Sequence, residues 1–129
     1  MDSSAFILFS SFLIPVIMIL FGKIFSKRSP KAINHFYGYR TKMSMKNKNT
    51  WDFAHKYFGK LFFKAGIIIL PLSVVAMIIF IIANFDNIEI YSGILILVQA
   101  VFIVFPIIAT EKALKEMFDK DGNYKQQAE

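Results

Sequence analysis

AGIIILPLSVVAMIIFIIANF, residues 65 to 85, carries no charged side chain. A helix rises about 1.5 Å per residue, so about 20 apolar residues cross the roughly 30 Å hydrocarbon layer of a bilayer. A helix buried in a soluble core is shorter and striped, whereas this stretch is apolar on every side. It predicts a membrane span, and that one reading sets the solvent against which the rest of the chain is judged.

Outward from it lie two similar stretches. Residues 3–22 and 90–110 are also free of charge. The whole chain has 129 residues, 56% hydrophobic, with 15 Phe and a mean hydropathy of +0.51. That composition leaves too little polar surface for a soluble domain, and the length allows one domain. The first stretch differs from a secretory signal in its flanks. A signal carries positive charge before its apolar core; here Asp2 precedes the core and Lys23, Lys27 and Arg28 follow it. This is the charge order of a retained anchor. There is no Cys, which excludes disulfides, thiolate metal sites and cysteine nucleophiles.

Charge then gives the topology. Between residues 23 and 64 stand eleven Lys and Arg against one acid, Asp52. The link between the second and third stretches holds Asp86 and Glu89 and no base, and the tail after Thr110 mixes both signs. Short basic loops stay in the cytoplasm. The predicted order is N-terminus outside, basic loop inside, acidic link outside and tail inside. Anionic lipid headgroups account for the basic loop without any direct nucleic-acid partner.

Each span carries one proline, Pro15, Pro71 and Pro106. These shape the packing of the helices or frame a hinge or cavity. No ionisable residue lies deep in any span, which argues against a proton relay or a transporter of charged substrates. Gln99, near the middle of the third span, is expected to hydrogen-bond another helix or a second copy in a homo-oligomer.

The one long polar stretch, residues 23–64, concentrates the chemistry. Pro30 ends the helix that continues the first span, and Gly38 sits between Tyr37 and Tyr39. Asn49 or Thr50 is expected to cap a helix with Asp52 in its first turn. From there Trp51, His55, Phe58, Gly59, Phe62 and Gly66 share one face, while Asp52, Lys56, Lys60 and Lys64 share another. Asp52 is expected to pair with Lys56. The pattern predicts an amphipathic helix lying at the inner interface, with Trp51 at headgroup level, that bends into the second span. Arg40 and Thr41 offer a forked donor and a hydroxyl to a phosphate, a lipid headgroup or a carboxylate. His55 is expected at the surface as a hydrogen-bonding residue. It lacks an acid–base or metal-ligand partner at useful spacing, so no catalytic residue, cofactor or metal is assigned.

The fold class is therefore an all-α membrane protein: three transmembrane helices at about 3–22, 65–85 and 90–110, with a cytoplasmic interfacial amphipathic helix before the second span. These make one module over residues 3–110, followed by a polar cytoplasmic tail, 111–129.

GYRT at 38–41, Trp51 eleven positions after Arg40, His55 and Gly59 at successive steps of four, and then Gly66, form a spaced pattern ahead of a span. This pattern resembles the signature of the SdpI family of bacterial membrane proteins. Two departures are Lys42, where family members often carry Pro, and Ser44, where a Thr is common. The resemblance covers about residues 6–110, one module, whereas the family's named member has additional spans before it. The resemblance implies a protein of the bacterial plasma membrane that gives immunity to a membrane-active peptide toxin. It also implies recruitment of a cytoplasmic repressor to the membrane, for which the basic loop would be the docking surface. Coupling of that kind needs a two-state element. Two other readings stand beside it. One is an accessory or regulatory subunit of a membrane complex without toxin immunity. The other is an enzyme acting on lipid headgroups through Arg40 and His55, which lacks an acid–base pair.

Overall fold

The computed structural model describes residues 3–83 and 86–126. The last two residues of the second expected span, 84 and 85, and the tail residues 127–129 lie outside the described residues. Three helices follow one another: α1 (Ser3–Lys27), α2 (Lys48–Ile82) and α3 (Ile88–Met117). All three are long and apolar enough to cross a membrane. Their outer faces show why. Leu72, Val75, Ile79, Leu97, Val101 and Phe105 are all exposed on the bundle, an arrangement stable only where the surroundings are themselves apolar.

α1 and α2 make the closest pair. Their backbones touch at Gly22 and Gly59. A Cβ on Gly59 would stand 2.7 Å from the Phe25 carbonyl carbon and 2.9 Å from the Gly22 carbonyl oxygen. Two turns on, a Cβ on Gly66 would stand 2.8 Å from Ile19 Cγ1. Small residues at such crossings let helices gain dispersion contacts that lipid cannot replace. Below this seam Met18, Ala65 and Ile69 form a buried cluster that Phe102 and Ile103 of α3 close.

The amphipathic segment and the second span are one unbroken helix. The buried stripe of α2 explains this: Trp51, His55, Phe58, Gly59, Gly66, Ile69, Ser73 and Met77 run continuously down one side. At about 1.5 Å per residue the helix is about 52 Å long. Its charged first half therefore extends well past the apolar stretch. The cap is also earlier than expected. Asn47, not Asn49 or Thr50, accepts the Thr50 N–H, and Thr50 in return accepts the Asn47 N–H, a reciprocal box. Asp52 then falls beyond the first turn and pairs with Lys48 at 3.1 Å rather than with Lys56.

α3 runs on to Met117, past residue 110. The chain then turns back. Asp119 accepts from the Asp121 and Asn123 N–H groups, and Asn47 Nδ2 donates to the Gly122 carbonyl at 2.7 Å. The tail thereby docks on the start of α2.

Candidate functional site

The polar loop between α1 and α2 is laid over the first turns of α2. Three short bonds fix its entry. Trp51 Nε1 donates to the Pro30 carbonyl at 2.8 Å, Lys48 Nζ donates to the Lys31 carbonyl at 2.9 Å, and the Ser29 hydroxyl donates to Asp52. Trp51 is fully enclosed as a result. It is not a headgroup anchor, because the loop covers the face that would have met lipid.

His55 lies beneath the same loop and is fully buried, not at the surface. Its two ring nitrogens have opposite tasks. Nδ1 lies 2.7 Å from the Trp51 carbonyl, which can only accept, so Nδ1 carries the proton. Nε2 then accepts the Tyr39 N–H at 2.8 Å. The imidazole is held neutral in one tautomer, with both nitrogens committed. The Phe25 ring meets it edge-on at 5.1 Å and Trp51 lies 4.3 Å from it.

Gly38 follows from that geometry. Its φ is +114°, in the region that favours glycine. A Cβ there would also stand 2.6 Å from His55 Nε2 and 3.3 Å from the Trp51 ring. So Gly38, Trp51 and His55 are one packed unit. Gly59 and Gly66 belong to the α1 seam, where the first of them sits one turn beyond His55.

Tyr39 carries the loop across to α3. Its ring packs on Phe58 at 4.7 Å and its hydroxyl donates to Glu111 Oε1 at 2.7 Å. Burial, and then the Glu111 carboxylate, push the phenol far above its ordinary value, so it remains a donor. Thr41 and Ser44 close a turn reciprocally. The Thr41 N–H donates to Ser44 Oγ at 2.8 Å and the Ser44 N–H to Thr41 Oγ1 at 3.2 Å. Ser44 is fully buried, so the hydroxyl at this position has a definite structural use. Arg40 points outward, with one guanidinium nitrogen donating to the His35 carbonyl. Arg40 is thus the exposed member of the spaced pattern, and Thr41 is half-buried.

Far from the loop, Gln99 joins all three helices. Its Nε2 donates to the Ser11 carbonyl of α1 at 2.7 Å and to Ser73 Oγ of α2 at 2.9 Å. Pro15 explains the first bond. A proline four residues on has no N–H to give Ser11, and the Gln99 amide supplies the missing donor.

Sequence reasoning missed Tyr39, Glu111 and Asn47. Tyr39 could have been flagged by its place between Gly38 and Arg40. Glu111 has one signal, being the first charge after the third apolar stretch. Among the described residues, no group of three His, Cys, Asp or Glu is placed to hold a metal ion.

The model of the SdpI/YfhL protein family matches residues 31–110. The chain belongs to that family. A Bacillus subtilis (strain 168) relative, named as an uncharacterized protein YfhL, is 33% identical over 106 residues, covering 82% of this chain and 86% of the relative. No solved structure matches. The SdpI/YfhL match takes in most of the covering loop, α2 and most of α3, and stops one residue short of Glu111.

Proposed function

We propose that this SdpI/YfhL chain is a multi-pass protein of the bacterial plasma membrane that protects its cell from a membrane-active peptide toxin. In this reading its N-terminus lies outside and its C-terminus in the cytoplasm, the orientation that the eleven basic residues of the loop favour. The toxin would meet the spans or the acidic link. The loop end would report the encounter by recruiting a cytoplasmic repressor.

One observation carries this reading. Gly38, Trp51 and His55 of the spaced pattern pack as one unit, which ties α2 to the loop through the His55–Tyr39 bond and the loop to α3 through the Tyr39–Glu111 bond. A change in helix packing is thereby transmitted to the loop surface, where Arg40 stands free to meet a partner. Both His55 nitrogens are committed to backbone partners, which favours a binding role over a catalytic one.

The test is survival and membrane potential of a toxin-sensitive bacterium exposed to an SDP-type peptide. Strains would express this chain, an Arg40→Ala variant at matched membrane level, or neither. Arg40 makes one backbone contact at the surface, so its removal separates function from folding. Protection by the natural chain, lost in Arg40→Ala, is expected. Equal protection by both moves the mechanism into the spans. No protection at verified expression overturns immunity and leaves the accessory-subunit reading.

A further inference from the structure

At the loop end a cavity of about 630 Å³ opens between the Thr41–Ser44 turn, the end of α3 and the returning tail. Five lysines line it: Lys42, Lys46, Lys115, Lys120 and Lys125. None of them makes an ion pair among the described residues, where Lys48–Asp52 is the one pair present. Three carboxylates share the lining, and two are already engaged. Glu111 takes the Tyr39 hydroxyl, and Asp119 takes two backbone N–H groups of the tail turn. Five ammonium groups against three carboxylates leave the lining with a net positive charge, and no lysine there is tied up in an ion pair among the described residues. Met43 and Phe118 supply apolar lining beside them.

The depth of this cavity is set by the sequence. The third apolar stretch ends at Thr110, and Glu111 and Lys115 lie on the next two turns of α3. The cavity therefore sits where the hydrocarbon layer gives way to headgroups.

We infer that this lysine-lined cavity is a binding site for a phosphate-bearing anion. Lysine ammonium groups supply rotatable point charges suited to phosphate oxygens, and the apolar lining suits a phosphate carried on a greasy body. Because Glu111 forms one wall, an occupant is one hydrogen bond from Tyr39 and two from His55. The site stands independently of the immunity reading, since no toxin enters its definition or its test.

The experiment uses the full chain purified in an uncharged detergent. It is titrated with dioctanoyl phosphatidylglycerol, dioctanoyl phosphatidylcholine or inorganic phosphate. Binding is followed by Tm and by the fluorescence of Trp51, the one tryptophan in the chain. Phosphatidylglycerol is expected to raise Tm and phosphatidylcholine to leave it unchanged. Lys46→Gln/Lys115→Gln/Lys120→Gln is expected to weaken binding about a hundredfold, at about fivefold per lysine. Lys27→Gln/Lys60→Gln/Lys64→Gln, which removes exposed lysines outside the cavity, is expected to stay within about twofold. If the triple cavity variant has a lower Tm without ligand, single Lys120→Gln replaces it, with about a fivefold loss expected. Millimolar inorganic phosphate that competes with the lipid identifies a soluble ester as the source, and failure to compete identifies the headgroup. Equal weakening by both triple variants, equal response to both lipids, or no response to any probe overturns the site.

Discussion

α1 and α3 are held against α2 in different ways. The α1 seam is made of backbone: Gly22 and Gly59 bring two main chains into direct contact, and no side chain stands between them to yield. α3 is held by side chains, Gln99 bonding α1 and α2 near the middle and Glu111 bonding Tyr39 of the loop at the other end. In lipid there is no hydrophobic gain from pairing helices, so association must come from close packing or from hydrogen bonds. This chain uses backbone-close packing alone on one side, and adds hydrogen bonds to side-chain packing on the other. Packing of the first kind cannot be adjusted in small steps, whereas a hydrogen bond can be exchanged. The seam is the fixed part of the bundle and α3 the part that can be retuned.

Substitutions should expose that difference, and the seam should give the largest effect. Gly59→Leu forces the two backbones apart, so a loss of about 3 kcal/mol or more is expected. The variant should fail to give a cooperative thermal transition in detergent. Next comes His55→Phe, which keeps an aromatic ring but leaves the buried Tyr39 N–H without an acceptor. A loss of about 1–3 kcal/mol is expected, read as a lower denaturation midpoint.

The α3 contacts should cost less and should be conditional. Gln99→Leu is expected to cost about 1 kcal/mol by the same measurement. In a Pro15→Ala background the cost should shrink, because the substitution returns a backbone N–H to the Ser11 carbonyl. A double-mutant cycle reads this coupling, and additive costs would break the account of Gln99 as a substitute donor. Tyr39→Phe removes the bond to Glu111 and should cost about 1 kcal/mol or less. Arg40→Ala is the floor of the series, within about 0.5 kcal/mol of the natural chain.

The three spans were legible because absence of charge over about 20 residues has one physical meaning in a chain this apolar. The face carrying Trp51, His55 and Gly59 was legible from its spacing. What that face meets was not, since a buried helical stripe looks the same whether lipid or a folded loop covers it. The cap shows a second limit. Residues 47–50 read Asn-Lys-Asn-Thr, so three residues can cap, and the choice of Asn47 goes with a bond to Gly122 far along the chain. Asp52 shows a third. Lys48 and Lys56 both stand four residues away, and Ser29, 23 residues earlier, holds the carboxylate on the Lys48 side.

That bond from Asn47 to Gly122 spans 75 residues. On a ribosome adding about 5–20 residues per second, the acceptor is made roughly 4 to 15 s after the donor. Both later helices must be synthesised in the interval. The basic loop therefore has to wait, with the start of α2 incompletely fastened, until α3 and the turn after it have been translated. Completion of the loop end becomes a report that all three crossings have been made.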